Sequence, residues 1–253
     1  MSFTGISRIS SKKKDFYPFN SKTMINIQTF SAHSHKVKAV IYGPSGSGKT
    51  HFASTAPSPI FASAESGLLS VAKTGRKIDF VNIASVKDLR ELLLFLKTEK
   101  HNYKTVVIDS ISEINEIIKE KLEKDSGRSM QLQDWSNLAK QIKGILRSFR
   151  DLDMHVIFIA QETFEKDDQA IYKVVPMLNG KAAIEIAYFM DVVGYSYIDK
   201  QGNHQILTHA SDKHLTKDRS GLLKEAELNF SSWVELIAST SSTDSKPTEE
   251  PQQ

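Results

Sequence analysis

The chain of 253 residues contains no cysteine. It therefore has no disulfides, no metal site built on thiolates and no cysteine nucleophile. Its eight histidines are scattered and none pairs at the spacing of a zinc site, so we expect no metal bound by side chains alone. No apolar run approaches the ~20 residues of a membrane helix, and no apolar segment near the start predicts a secretory signal. These absences favour a cytoplasmic protein with no membrane partner.

Charge is distributed unevenly along the chain. The net charge is +3, yet residues 1–38 hold seven Lys or Arg against one Asp, while residues 240–253 hold three acids against one Lys. The middle is nearly neutral, so a nucleic-acid surface there must be a local patch. Shifts in composition predict a flexible basic arm at 1–35, one globular domain at 36–239 and a disordered acidic tail at 240–253.

Between the two tails, short apolar runs alternate with amphipathic helical patterns. The runs are rich in Val and Ile, which is typical of buried parallel strands. The alternation predicts an α/β fold: a mostly parallel sheet with helices on both faces, followed by a C-terminal β-hairpin that turns at 199–202. The predicted strands are 38–42, 59–64, 78–84, 105–109, 156–160, 192–198 and 205–209, and the predicted helices cover about 85–100, 111–122, 138–149 and 180–190.

The most specific motif follows the first predicted strand. Residues 43–50 have the G-x-x-x-x-G-K-T pattern of a phosphate-binding loop, or P-loop. Its glycines let backbone N–H groups point into one concavity, and the helix that follows adds the positive end of its dipole. We expect ATP with Mg²⁺, with Lys49 on the β- and γ-phosphates and the Thr50 hydroxyl on the metal. The predicted nucleotide-binding residues are Gly43, Pro44, Ser45, Gly46, Ser47, Gly48, Lys49 and Thr50.

Three polar residues stand at the ends of other predicted strands, where ligands of open α/β sheets gather. Asp109 is placed to orient Mg²⁺ through water. Glu65 is a candidate to activate water for attack on the γ-phosphate. Gln161 is a candidate to bind that phosphate and signal its loss to the following segment. Taken singly, Asp109 is also compatible with a turn or helix cap, and Glu65 and Gln161 with ordinary surface positions.

Two segments beyond these strands are further candidates. Residues 162–180 are predicted to be one long loop, and loops of that length in a compact domain are usually functional or disordered. Lys217 and Arg219 follow the last predicted strand. They are either solvated surface or a basic finger that enters a neighbouring protomer's site and stabilises charge on the transferring phosphate.

In this order the pieces resemble those of RecA-type ATPases. Over about 36–225 the chain is similar to the RecA-core nucleotide-binding proteins of bacteriophages, the P-loop group of Sak single-strand annealing proteins. The resemblance lies in 61–65, 106–110 and 156–161, which look like that family's strands ending in the catalytic glutamate, the Mg²⁺-orienting aspartate and the phosphate-sensing glutamine.

The resemblance also implies DNA contacts and an assembly. It implies a first DNA-binding loop at 124–131, which contains Arg128, and a second at 162–180, which contains Lys166 and Lys173. It implies that Lys217 and Arg219, with Lys213, act in trans on the next protomer's ATP. The partners implied are single-stranded DNA, further copies of the chain in a ring or filament, and a single-strand-binding protein, all in a phage's host cytoplasm.

The expected function is therefore ATP-dependent binding of single-stranded DNA, with strand annealing in phage recombination, repair or replication. Three alternatives stay open. One is a helicase-type or loader ATPase acting on DNA. The others are a P-loop kinase that phosphorylates a small molecule, and a nucleotide-switch protein with negligible turnover.

Overall fold

The computed structural model describes residues 31, 34–65, 71, 75–166, 172–224 and 226–239. Nearly all of the predicted arm and the whole of the predicted tail lie outside these residues. No helix within the described ranges is long and apolar enough to cross a bilayer.

A single mixed sheet forms the centre of the fold. Its strand order is β10-β8-β1-β5-β4-β2-β3, with β9 paired to β8 outside that path. The neighbours from β8 through β3 run parallel, whereas β9 and β10 run antiparallel to β8. A separate two-stranded antiparallel sheet is made by β6 and β7. The strands are β1 Lys38–Tyr42, β2 Pro59–Ser63, β3 Asp79–Asn82, β4 Thr105–Asp109, β5 His155–Ala160, β6 Glu162–Lys166, β7 Tyr172–Pro176, β8 Val192–Ile198, β9 His204–Leu207 and β10 Lys217–Asp218.

Helices cover both faces of this sheet. Successive strand residues point to opposite faces, and they divide between two apolar clusters. One cluster joins the sheet to α2–α5, and the other joins it to α1 and α6. The predicted α/β architecture is confirmed, including the C-terminal hairpin formed by β8 and β9. The helices are α1 Lys49–Ser54, α2 Val86–Thr98, α3 Ile111–Ser126, α4 Leu132–Arg150, α5 Ala182–Phe189 and α6 Phe230–Ser239.

The parallel register brings the ends of four central strands to one edge. Ser63 pairs with Asp109, and Asp109 pairs with Ile159 of β5. Tyr42, the last residue of β1, pairs with Ala160, the last residue of β5. Side chains that follow β1, β2, β4 and β5 therefore emerge side by side, as the rule for open α/β sheets requires.

The prediction of one long loop at 162–180 is wrong. Two strands, β6 and β7, occupy most of this segment and pair from Glu162↔Pro176 to Lys166↔Tyr172. Four of the five residues of β6 are polar or charged and Phe164 is its one apolar residue, so no apolar alternation marked it as a strand. We call residues 162–166 and 172–176 the β6–β7 hairpin. Tyr42 Oη lies 3.0 Å from the carbonyl oxygens of both Val174, in this hairpin, and Leu215.

Helix α6 was not predicted from the sequence, and it packs on the helix after the P-loop. Trp233 of α6 lies with its ring centroid 4.6 Å from that of Phe52 in α1. The Phe230 amide donates to Thr55 Oγ1 at 2.7 Å, and Ser231 Oγ donates to the Thr55 carbonyl at 2.6 Å. Because α1 has only six residues, too few to be stable alone, this packing from α6 supports it.

Candidate functional site

The P-loop connects β1 to α1 and is held against strand β8. Gly43 has φ +148°, and a Cβ there would lie 2.1 Å from the Ser196 carbonyl oxygen. Ser196 Oγ donates to the Ser47 carbonyl at 2.9 Å. Gly48 is the N-cap of α1 with φ 96°, a left-handed conformation that glycine adopts without strain. The glycines thus serve close backbone approach and the turn into the helix.

Lys49 lies folded across its own loop. Its Nζ donates to the carbonyl oxygens of Gly43 at 2.9 Å and Pro44 at 2.7 Å. Burial lowers the pKa of this ammonium, while the nearby carboxylates of Asp109 and Glu65 oppose that shift. A partly desolvated cation facing a concavity of backbone amides is suited to an anionic ligand.

Thr50 and Asp109 meet beside the loop. Thr50 Oγ1 donates to Asp109 Oδ2 at 2.8 Å. Asp109 is only 4% exposed, and burial raises its pKa to about 6, with Glu65 adding to the rise and the Thr50 hydrogen bond opposing it. The carboxylate therefore has less compensation than a buried charge needs. A divalent cation would supply it.

These two residues fit Mg²⁺ that is brought in with a nucleotide. No group of three or more His, Asp or Glu that could hold a metal occurs among the described residues. One hydroxyl and one carboxylate fill only part of an octahedral oxygen shell, and Mg²⁺ normally completes it with phosphate oxygens and water. The pair is thus a partial site, of the kind found where the substrate itself carries the remaining ligands.

Glu65 and Gln161 are joined directly. Gln161 Nε2 donates to Glu65 Oε1 at 3.2 Å. The Ser110 hydroxyl donates to the same carboxylate oxygen, and Ser110 also accepts from the Glu113 amide at 3.2 Å as the N-cap of α3. Two donors, the helix-capping Ser110 hydroxyl and the neutral Gln161 amide, therefore hold one oxygen of the Glu65 carboxylate.

One pocket of about 720 Å³ connects these groups. Its lining includes most of the P-loop together with Glu65, Asp109 and Gln161. The ends of four strands, which lie up to about 120 residues apart in the chain, thus converge on one volume that is large enough for a nucleotide. The structure brings together the predicted nucleotide-binding and water-activating residues.

Four other contacts could not be read from the sequence. The Gln161 amide donates to Ser112 Oγ at 3.0 Å, and Ser112 Oγ donates to the Met177 carbonyl at 2.9 Å. The Met177 amide in turn donates to the Gln161 carbonyl at 2.8 Å. His204 Nδ1, in β9, lies 2.9 Å from the Ser47 carbonyl. Each contact joins segments far apart in sequence, and no local motif announces Ser112 or His204.

The predicted trans-acting residues lie away from the pocket. Lys217 Nζ donates to the carbonyls of Ala187 at 2.7 Å and Met190 at 2.9 Å, at the end of α5. Arg219 donates to Asp191 Oδ1 at 3.1 Å and to the Tyr188 carbonyl at 3.1 Å. Within their own chain, both side chains therefore support the end of α5.

The predicted DNA-binding residues fall in two places. Arg128 precedes α4 and pairs with Asp134 at 2.6 Å, so its charge is partly used within the α4 cap. Lys166 and Lys173 both lie on the β6–β7 hairpin. Lys166 Nζ lies 5.0 Å from the centroid of the Tyr172 ring. The Tyr172 and Phe164 side chains are 61% and 65% exposed, and no sequence motif indicates a role for either.

Comparison with known proteins gives a family and a distant structural likeness. Residues 35–220 match the family model of an AAA domain. No curated protein matches the chain. Among solved structures, the crystal structure of the RadB recombinase is similar, with a TM-score of 0.41 and 20% identity over 65% of this chain and 76% of that one.

Proposed function

The chain belongs to the AAA domain family, and from this premise we propose that it binds and hydrolyses ATP with Mg²⁺ and couples hydrolysis to single-stranded DNA. The direct contact between Gln161 and Glu65 carries the proposal. Both residues line the P-loop pocket, and Gln161 directly precedes the β6–β7 hairpin, so their contact joins the pocket to an exposed surface.

The first part of the proposal is nucleotide binding. Lys49 leaves its two loop carbonyls and contacts the β- and γ-phosphates, while the amides at the start of α1 face the phosphates. Thr50 and Asp109 hold Mg²⁺, which supplies charge neutralisation on the phosphates. The buried Asp109 carboxylate supports this assignment, because the nearby Lys49 only partly offsets the cost of its burial and Mg²⁺ would add compensation.

The second part is water activation by Glu65. The Ser110 hydroxyl and the Gln161 amide fix one carboxylate oxygen, which leaves the other oxygen to accept a proton from an attacking water. In-line attack needs little covalent work from the protein and depends on such positioning. Ser110 is thus proposed as a positioning residue for the base.

The third part is a link between Gln161 and the hairpin. The Gln161 amide group has two donor hydrogens, and we propose that a bound γ-phosphate competes with Glu65 for them. The Gln161 backbone is tied through Ser112 and Met177 to both ends of the hairpin. A shift of Gln161 would therefore reach β6 and β7 together.

Single-stranded DNA fits the exposed surface of that hairpin. Phe164, Lys166 and Tyr172 share one face, because Lys166 pairs directly with Tyr172 and Phe164 lies two residues before Lys166. Exposed aromatic rings stack with bases of any sequence, and a neighbouring Lys contacts phosphate. We further propose that the protein anneals strands in phage recombination or repair, as part of a ring or filament. This rests on the resemblance of β2, β4 and β5 to the strands of the phage RecA-core annealing proteins. Arg128 remains a proposed contact of the same kind.

The test is ATP hydrolysis by wild type and Glu65→Gln, with Mg²⁺, in the presence and absence of single-stranded or duplex DNA. We expect stimulation by single strands in the wild type. Glu65→Gln keeps the shape and the hydrogen bonds of the side chain but cannot accept a proton, so hydrolysis should fall at least about a hundredfold with ATP binding retained. Unchanged turnover in Glu65→Gln would contradict the assignment of the base.

Additional measurements on the same protein separate the alternatives. A helicase or loader would also unwind or move along a tailed duplex, and a kinase would transfer phosphate to an acceptor other than water. A nucleotide switch would bind ATP without turnover in the wild type. An ATP hydrolysis rate that single-stranded DNA does not change would contradict the proposed coupling to DNA but not the proposed nucleotide binding.

A further inference from the structure

Glu162 stands at the junction between the P-loop pocket and the β6–β7 hairpin. It is the first residue of β6, directly follows Gln161, and lies half-buried in the pocket lining. Burial lowers the pKa of Lys49, and Glu162 is one of three carboxylates whose charge opposes that shift. The Glu162 carboxylate therefore acts on the volume in which the triphosphate is proposed to bind.

A packed group of aromatic rings adjoins Glu162. Burial, together with the neighbouring Glu162 carboxylate, raises the pKa of the Tyr195 phenol to about 12. The Tyr195 ring stacks on the His214 ring with 4.1 Å between the centroids, and its centroid lies 5.4 Å from that of Tyr42. His214 in turn forms a β-bridge with Val174 of β7. Because close-packed groups leave little free space, a displacement of Glu162 toward Tyr195 would reach both strands of the hairpin.

We propose that Glu162 senses the γ-phosphate of bound ATP by repulsion, and that Tyr195 passes its displacement to the β6–β7 hairpin. The inference rests on the proposed function, because the P-loop must first hold the phosphates. ATP carries one phosphate more than ADP, so it adds negative charge to the pocket that Glu162 lines. Salt screens like charges only weakly in a partly buried site, so they disfavour each other there.

The chemistry of Glu162 distinguishes it from the two other polar residues beside it. An ionised carboxylate only accepts hydrogen bonds, so Glu162 cannot donate to a phosphate oxygen as the Gln161 amide can. The Glu65 carboxylate is also negative, but the Ser110 and Gln161 donors hold one of its oxygens. Glu162 pairs with Pro176 in the hairpin, and Pro176 has no amide hydrogen to give to that pairing. The restraint that β7 places on Glu162 is therefore reduced.

The test compares binding of a non-hydrolysable ATP analogue and of ADP, each titrated with Mg²⁺ by calorimetry. In Glu162→Gln the repulsion is gone, so we expect the analogue to bind about five- to tenfold more tightly than in wild type, and ADP within about twofold. Glu162→Ala, which offers the phosphate no new donor, should show the same gain. Glu165→Gln removes a charge from the same strand at a position outside the pocket lining, so this matched control should change neither titration.

The second readout is the affinity for a labelled oligothymidine, measured by fluorescence anisotropy with the analogue or with ADP. We expect the analogue to strengthen DNA binding about tenfold over ADP in wild type, and less than about threefold in Glu162→Gln. Tyr195→Phe keeps the stacked ring but removes the hydroxyl that adjoins Glu162, so it should lower this ratio similarly. Tyr197→Phe is its matched control: the Tyr197 ring stacks 6.0 Å from that of Tyr195 on the same strand, and the ratio should keep its wild-type value.

The outcomes separate this inference from the proposed function. An unchanged ratio of analogue to ADP affinity in Glu162→Gln and Glu162→Ala, or weaker analogue binding in both, overturns the inference. A gain in Glu162→Gln alone belongs to the new amide donor and overturns it as well. If wild type binds neither nucleotide, nucleotide binding itself fails and the inference fails with it. If wild type binds nucleotide but no DNA, the coupling to DNA fails, while calorimetry still decides whether Glu162 repels the γ-phosphate. Ligand-free thermal unfolding of each variant verifies that its fold is intact.

Discussion

Asp109 carries a conflict between stability and function at the scale of a single residue. Its carboxyl is buried, and among the described residues the Thr50 hydroxyl is the one close hydrogen-bond donor to it. Burial raises its pKa from 3.8 to about 6, so the folded protein binds a proton in that window that the unfolded chain releases. The stabilisation from that proton is complete below pH 3.8 and is lost as the pH rises past about 6. At neutral pH the buried Asp109 carboxylate is therefore a charge that destabilises the folded protein.

We predict that Mg²⁺-dependent binding of ATP weakens as the pH falls through 6. The metal needs the carboxylate, and protonation removes it, so affinity should drop about tenfold between pH 7.5 and pH 5. Titration calorimetry at several pH values with constant Mg²⁺ measures the drop. The terminal phosphate of ATP also takes up a proton in this range, which makes an internal control necessary.

Asp109→Asn is that control. The amide cannot titrate, so any remaining pH dependence belongs to ATP. The same variant should be more stable than wild type at pH 7, by about 1–3 kcal/mol in the free energy of unfolding without ligand, because the uncompensated charge is gone. Equal pH dependence in wild type and Asp109→Asn would show that Asp109 does not hold the metal.

At the scale of elements, the β6–β7 hairpin is the part that sequence reasoning described least well. Strand β6 has one apolar residue, Phe164, and therefore shows no apolar alternation. Both β6 and β7 are only five residues long, so neither gives a strong strand pattern in the sequence. The buried strands β1, β4 and β5 were predicted to within a residue at each end because their apolar runs are continuous. The P-loop and Asp109 followed from those strands. Ser112, Ser196 and His204 did not, because they contribute through contacts with residues distant in sequence.

Helix α6 was not predicted either, although for a different reason than the β6–β7 hairpin. Its buried residues Phe230, Trp233 and Ile237 stand at i, i+3 and i+7, so the helical periodicity was present in the sequence. What the pattern could not reveal is where the helix packs. Its contact with Phe52 and Thr55 supports the short helix after the P-loop, and thereby the site.

The hairpin gives a prediction at this scale. Phe164→Ala should weaken binding of a labelled oligothymidine about tenfold, because one stacked base contributes about 1–3 kcal/mol. Fluorescence anisotropy with ATP and Mg²⁺ present measures the affinity. Phe80→Ala is the matched control: Phe80 is a similarly exposed aromatic at 57%, but it lies on the edge strand β3. A loss that is equal in both variants, or absent from Phe164→Ala, would remove the hairpin from the DNA surface.

At the scale of the whole molecule, the question is whether one chain completes its own site. Lys217 and Arg219 lie outside the P-loop pocket and support the end of α5, and burial lowers the pKa of Lys217. The predicted role in trans requires a neighbouring copy. It therefore stays a prediction about an assembly, and it concerns Arg219 more than Lys217, because about half of the Arg219 side chain is exposed.

Mixing two inactive variants tests this assembly. Glu65→Gln lacks the base but keeps Arg219, and Arg219→Ala lacks the arginine but keeps Glu65. If each site takes its arginine from a neighbour, an equimolar mixture should recover about a quarter of wild-type hydrolysis, since that share of random neighbours combines the intact halves. Hydrolysis by Arg219→Ala alone at the wild-type rate, or a mixture that stays inactive, would place no catalytic arginine in trans.

The Tyr42 hydroxyl connects these scales. It has one hydrogen and two carbonyls at 3.0 Å, one on Val174 of the hairpin and the other on Leu215, two residues before Lys217. Two backbone hydrogen bonds join the same two segments. The Val174 amide donates to the Lys213 carbonyl, and the Leu215 amide donates to the Val174 carbonyl. The β6–β7 hairpin and residues 213–215 are thus hydrogen-bonded to each other and to Tyr42, the last residue of β1 before the P-loop. A displacement of either segment is therefore transmitted to the other. Because the single Tyr42 hydroxyl hydrogen cannot bond fully to both carbonyls, this hydrogen bond is the first of these contacts to change partner.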